Sequence, residues 1–222
     1  MMQRQPEPDL MDDAEQALAY ARADFAEPHE NFVDLIEETF PAHDFNGKVL
    51  DLGCGPADIT LRFARRFPQA QIDAVDGAEA MLALGRDAVA QSAQADRITL
   101  WRKYLPDDAM PRKQYDAIIS NSLLHHLRQP LDLWHCIRNH ASAGMQVFVM
   151  DLMRPHNTDI ARQLVAQYAA EEAEILQRDF YHSLLAAYTV EEVQQQLQQA
   201  GLSYLQVRSV SDRHLTVSGV ME

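Results

Sequence analysis

The stretch VLDLGCGPADIT, residues 49–60, sets an apolar run against two glycines and two acids. Gly53 and Gly55 allow the chain to turn sharply and a ligand to approach the backbone closely. A helix starting directly after them offers free N–H groups and the positive end of its dipole. Asp51 stands at the C-terminal edge of the apolar run, where open α/β sheets bind their ligands. A second acid, Asp76, ends the next apolar run in QIDAVDG, 21 residues beyond Gly55. A carboxylate there can accept hydrogen bonds from both ribose hydroxyls of a nucleoside. Strand, glycine turn, helix, strand and acid together read as a nucleoside-cofactor site.

The charge around that site selects among such cofactors. A dinucleotide fingerprint, GxGxxG, needs glycine at the position of Asp58, and a carboxylate there repels a pyrophosphate. Asp51 adds more negative charge. A cofactor carrying an ammonium and a sulfonium, as S-adenosylmethionine (SAM) does, suits the site better. An NAD-dependent oxidoreductase is the first alternative, and the sequence also lacks a Tyr-x-x-x-Lys pair. A SAM-binding regulatory module without transfer activity is the second.

These residues carry a resemblance. VLDLGCGPAD resembles the first motif of class I SAM-dependent methyltransferases, AVDGAEAML (74–82) the segment after their second strand, and YDAIISNSLLHHL (115–127) their fourth-strand motif. The match runs in order over about residues 40–155. Among subfamilies the chain is most similar to the small-molecule branch that includes the quinone C-methyltransferases. The resemblance implies a Rossmann-like seven-stranded sheet, mostly parallel with an antiparallel C-terminal hairpin and helices on both faces. It also implies in-line displacement of a methyl group from SAM to a small-molecule acceptor, leaving S-adenosylhomocysteine.

By position, the resemblance gives Asp51 the methionine ammonium, through water. Gly53, Cys54 and Gly55 line the methionine and ribose. Asp76 takes the ribose hydroxyls, with Gly77 and Met81 beside the adenine. Asn121, with Ser122, sits near the methionine and the acceptor mouth. Tyr20 and Phe25 belong to an N-terminal helix that closes over the cofactor; the plain alternative is a helix packed on the core. Two departures stand out. Ala57 replaces a third glycine, and the loop WRKYLPDDAM has no acid where the family offers one to the adenine amino group. Tyr104 or a backbone group is the replacement expected there.

The acceptor side is read from residue chemistry. A base is needed where the acceptor must lose a proton, and an imidazole suits that task near neutral pH. Of His125 and His126 at most one faces the acceptor, because neighbours on a helix do not share a face; His126 is preferred. Tyr181 and Asp179 in QRDFYHSLLAAYT are the other candidate bases, and His182 a pocket residue. Arg154 either binds an anionic acceptor or pairs with an acid. Each of these has a structural alternative. Cys54 reads as a small filler of the turn, and SDRH (211–214) as a hairpin turn whose Arg213 and His214 serve structure. No CxxC or Cys/His cluster has zinc spacing, so no metal is expected.

The elements that must hold these groups follow an alternating pattern. Strands are expected at Lys48–Leu52, 71–75, 98–101, 115–120 and 145–152, and helices at 58–67, 78–91 and 131–140. Strands alternating with helices imply a parallel sheet covered on both faces. Residues 1–9 carry two prolines and read as loose. Residues 10–40 read as a helical lid broken near Pro28. Residues 157–186 read as one long helical insertion. Thr189 and Glu192 form a capping box for a helix over 190–200, closed by Gly201. A hairpin over 202–208 and 214–218 ends the pattern. One methyltransferase domain is thus expected over 1–222: lid 1–40, cofactor core 41–154, insertion 155–188, and closing helix and hairpin 189–222.

Composition bounds the partners. The chain has 222 residues, 47% of them hydrophobic, and a formal net charge of −14. That balance excludes a general duplex-binding protein and argues against docking on anionic lipid. The motif NSLLHH also lacks the Asn/Asp-Pro-Pro-aromatic sequence that holds a flipped adenine. Two cysteines, no long apolar segment and a polar, acidic start point to a cytoplasmic protein, monomer or homodimer, with a small molecule as partner.

Overall fold

The computed structural model describes residues 2–7, 12–41, 45–106 and 110–222. Seven strands form one sheet: β1 Lys48–Leu52, β2 Gln71–Asp76, β3 Ile98–Arg102, β4 Tyr115–Asn121, β5 Ala141–Leu152, β6 Gln206–Ser209 and β7 His214–Val220. Their order is β3-β2-β1-β4-β5-β7-β6. β1 to β5 run parallel, and β7 is antiparallel to both β5 and β6. The strand order reverses between β1 and β4, which opens a crevice beyond their C-terminal ends.

β1 buries four of its five residues in a row, the signature of a strand covered on both faces. Helices α1 (Ala14–Arg22), α2 (Ala26–Thr39), α3 (Asp58–Arg66), α4 (Glu79–Ala90), α5 (Leu131–Asn139), α6 (Thr158–Tyr168), α7 (Glu174–Ala186) and α8 (Val190–Ala200) complete the described elements. One core packs Phe32, Phe63 and Leu82 of α2, α3 and α4 against Val49 and Ile72. The other packs Trp134 and Ile137 of α5 and Val193 and Leu197 of α8 against Leu50 and Ile118. The capping box forms at α8, with Thr189 and Glu192 in both reciprocal bonds.

Three expectations are corrected. The lid breaks at residues 23–25, not at Pro28. Asp24 accepts the Ala26 amide there at 3.1 Å, and Pro28 lies in the first turn of α2, where a missing N–H costs nothing. The insertion is two helices, α6 and α7, parted at residues 169–173, which contain neither glycine nor proline. Residues 2–7 are not loose. The Met2 amide donates to the His156 carbonyl at 3.1 Å and the Gln5 amide to the Leu185 carbonyl at 3.0 Å. Arg4 donates to the carbonyls of Ala186, His125 and Leu127 and lies over the Tyr188 ring at 4.2 Å. This segment is a strap across α7 and the turn after β4. Residues 1, 8 and 9 of the expected loose stretch lie outside the described residues, as do Leu10 and Met11 of the expected lid.

Candidate functional site

A cavity of about 560 Å³ opens over the C-terminal ends of β1, β4 and β5. Its floor is the glycine turn. Gly53 has φ +75°, and a Cβ there would sit 2.9 Å from the Leu123 Cβ, so no other residue fits without a shift. A Cβ on Gly55 would meet no atom within 4 Å, so that backbone faces open space. Ala57 and Ser122 both sit at positive φ, +66° and +56°. Such strain in residues with a Cβ is typical of functional loops.

Asp51 and Asp76 frame the floor. Asp51 is buried, and Thr60, in the first turn of α3, donates to its Oδ2 at 2.6 Å. Burial, opposed by that bond and reinforced by the charge of Asp76, pushes its pKa up to about 7. Asp76 accepts the Gly55 amide on Oδ2 and the Ala78 amide on Oδ1, both at 2.8 Å. Burial raises its pKa, although these amide bonds pull it down. The carboxylate thus braces the glycine turn from the neighbouring strand. Burial also pushes the Cys54 thiol well up, which fits a filler of the turn and not a nucleophile.

The expected cofactor residues Asp51, Gly53, Cys54, Gly55, Asp76, Met81, Asn121, Ser122, Tyr20 and Phe25 all line this cavity. The Tyr20 and Phe25 rings lie 4.8 Å apart, and Phe25 lies 5.2 Å from His29. The buried Asn121 Oδ1 has no hydrogen-bond partner among the described residues. Two enclosed carboxylates and an orphaned carbonyl oxygen, beside a turn that a side chain would fill, form an acceptor-rich set. It suits a cationic nucleoside, so the residues present fit SAM.

Other placements differ from expectation. Gly77 is not among the cavity-lining residues. Tyr104 is 48% exposed and accepts a bond from Arg102 at 2.7 Å, also outside the cavity. Asp107 and Asp108 of its loop lie outside the described residues. Asp58 is not a free repelling charge. His29 and Arg62 bond its Oδ2 at 2.7 and 2.8 Å. Burial raises its pKa, but those bonds outweigh it and bring it to about 2.

The acceptor end is walled by α7 and the turn after β4, with the strap packed behind them. Tyr181 and His182 do not line the cavity; Tyr181 packs among Leu164 and Leu184. Asp179 lines it and accepts from Gln16 Nε2 at 2.6 Å, which ties α1 to α7. Arg154 is buried away from it, donating to the Ala187 carbonyl at 3.0 Å and to Glu192 at 2.6 Å. It is a structural strut. Arg154→Ala is expected to cost about 1–3 kcal/mol in urea unfolding, because it strands a carbonyl and a carboxylate. An unchanged midpoint would remove the strut assignment.

Both histidines of the pair line the cavity. A 3₁₀ turn, Leu124–His126, sets them with ring centroids 4.1 Å apart. His125 is 2% exposed, and its Nδ1 lies 2.6 Å from Asp151 at the end of β5. Burial lowers its pKa, but the Asp151 charge and hydrogen bond overcome that and raise it. His126 Nδ1 lies 2.6 Å from Glu7 of the strap. Glu7, His125 and His126 each offer a metal-ligand atom within 4.8 Å of the others. Sequence reading missed Glu7, Asp151 and Ser183 because no local pattern links them. It also assigned Arg213 and His214 to structure, whereas both line the cavity.

Comparison with known proteins places this geometry. A family model described as a methyltransferase domain matches residues 20–207. A trans-aconitate 2-methyltransferase of Mycobacterium ulcerans is 34% identical over 98 residues, which is 43% of this chain and 34% of that one. A ubiquinone/menaquinone biosynthesis C-methyltransferase of Geobacter sulfurreducens is 46% identical over 66 residues, 29% of this chain and 25% of that one. The matches thus span about a third or less of these curated relatives. A solved SAM-dependent methyltransferase of Aquifex aeolicus aligns over 93% of this chain and 97% of its own, with TM-score 0.67 and 16% identity.

Proposed function

The chain belongs to the methyltransferase domain family, and from that premise we propose that it binds SAM and moves the methyl group to a small-molecule acceptor. The observation that carries the reading is the pair Asp51 and Asp76, enclosed on either side of the Gly53–Gly55 turn in one cavity. When bound, SAM supplies an electrophilic methyl group on a cationic sulfur. Asp51 holds the ammonium, Asp76 the ribose hydroxyls, and the Asn121 Oδ1 accepts a bond near the methionine. Met81 and Ala78 flank the base. Tyr20 and Phe25 exclude water above the cofactor, and α6, α7 and the turn after β4 close the acceptor side. Where the acceptor carries a removable proton, His126 is the base. Asp179 is already committed to Gln16.

A dinucleotide remains disfavoured by Asp51, whereas Asp76 suits the ribose of either cofactor, and Asp58, bonded by His29 and Arg62, no longer argues against it. The net charge of −14 supports a small-molecule acceptor over a nucleic acid. Among the described residues no disulfide joins the buried Cys54 and Cys136, which fits a reducing cytoplasm. Among the described residues no helix is long and apolar enough to cross a membrane.

Calorimetric titration of SAM into the purified chain tests the reading. Saturable one-to-one binding, with no heat from NAD, is expected. Absence of SAM binding would overturn it.

A further inference from the structure

The strap carries one acid into the interior, and its contacts are out of proportion to anchoring. Arg4 and two backbone bonds already hold residues 2–7 in place. Glu7 adds a side chain that is 11% exposed and has both oxygens committed. Oε1 accepts from Ser183 Oγ on α7 at 2.6 Å, and Oε2 faces His126 Nδ1 at 2.6 Å. Burial pushes the Glu7 pKa up, but the hydrogen bond and charge of His126, the charge of His125 and the Ser183 bond bring it down to about 2. Glu7 is therefore an anion that Ser183 fixes in orientation.

His126 is the more open half of the pair. Its side chain is 28% exposed and lines the cavity, whereas that of His125 is 3% exposed and locked against Asp151. Two imidazoles in contact, each with its own carboxylate, are thereby set apart in role. Asp151, which also accepts the Leu124 and Leu152 amides, holds the His125 ring in place. Glu7 addresses the ring that meets the acceptor.

We infer that Glu7, delivered by the N-terminal strap, is a positioning residue that holds His126 with its proton on Nδ1 and leaves Nε2 free toward the cavity. This rests on the methyl-transfer reading for what Nε2 does there. The acceptor's X–H proton passes to Nε2, and the freed X lone pair attacks the methyl carbon. The carbon–sulfur bonding pair returns to sulfur, which leaves as a neutral thioether. The imidazolium, balanced by Glu7, later returns its proton to water. The logic is that of a base oriented by a buried carboxylate.

Long-range ¹H–¹⁵N spectra of ring-labelled histidine read the tautomer without any acceptor. His126→Asn assigns the signals. In the parent chain the neutral His126 ring is expected to show Nδ1–H and an unprotonated Nε2. Glu7→Gln, which keeps the shape and removes the charge, is expected to abolish that preference. Ser183→Ala, which removes an anchor but not the anion, is expected to retain it. An Nε2–H ring in the parent, or an unchanged ring in Glu7→Gln, overturns the inference. So does loss of both ring signatures on adding one equivalent of Zn²⁺ with recovery on chelation, since Glu7, His125 and His126 would then be metal ligands. SAM calorimetry on the same samples separates the two claims. A parent that shows the tautomer but binds no SAM sinks the methyl-transfer reading alone.

Discussion

Asp76→Ala is expected to weaken SAM binding by about 100- to 1000-fold, with the chain still folded. The carboxylate has two tasks. It is proposed to accept the ribose hydroxyls, and it already fastens Gly55 and Ala78 through their amides at 2.8 Å. Each charge-assisted hydrogen bond lost costs roughly 1.5–3 kcal/mol, and 1.4 kcal/mol is a factor of ten in affinity. Asp76→Asn separates the tasks. An amide offers one acceptor, so it can satisfy one of the two backbone N–H groups but opposes the other. It is expected to fall near the alanine variant in affinity. Calorimetry measures both, and the urea midpoint reports the fold. Affinity within threefold of the parent would remove Asp76 from the cofactor site.

Asp51→Asn gives the second large effect, and it acts in opposite directions on stability and binding. Asp51 has its pKa raised to about 7 by burial, from an ordinary value of 3.8 in the unfolded chain. The stability tied to its protonation is therefore fully present below about pH 4 and lost as pH rises through 7. Above pH 7 the cofactor-free protein holds a buried anion. Asparagine relieves it, so the variant is expected to gain ~1–3 kcal/mol at pH 8 and nothing below pH 4. The same change removes the anion proposed to receive the ammonium, and SAM affinity is expected to fall at least about 100-fold. In the parent, affinity rises between pH 6 and 8, and binding below pH 7 releases a proton. Buffers of different ionisation enthalpy detect that release. A variant no more stable than the parent at pH 8, or a parent affinity flat with pH, would refute this account.

How much of this was legible in the sequence depends on chain separation. β1, the glycine turn, Asp51 and Asp76 lie within one βαβ unit, so residue type and local spacing sufficed. The acceptor end is different. Glu7 meets Ser183 across 176 positions and Gln16 meets Asp179 across 163. Nothing in either segment's own pattern encodes its partner. Arg154 shows the same limit: a cation after a strand reads as a ligand group until Glu192, 38 residues on, is seen beside it. The lid was misread because a proline in the first turn of a helix looks, by composition, like a proline that breaks one.

The strap also bears on how the molecule is made. Among the described residues its bonded partners come later in the chain: His125, His126, Leu127, His156, Ser183, Leu185, Ala186 and Tyr188. Residues 2–7 are made before all of these partners and can seat fully only after residue 188 has emerged. The sheet from β1 to β4 needs no such wait, since domains fold by their own contacts as they appear. A chain paused near residue 130 has the glycine turn, Asp51 and Asp76, but no wall for Glu7 to dock on. In the order of synthesis the glycine turn and its acids thus precede the contacts that seat Glu7, and residues 2–7, translated before their partners, are among the last to find their place.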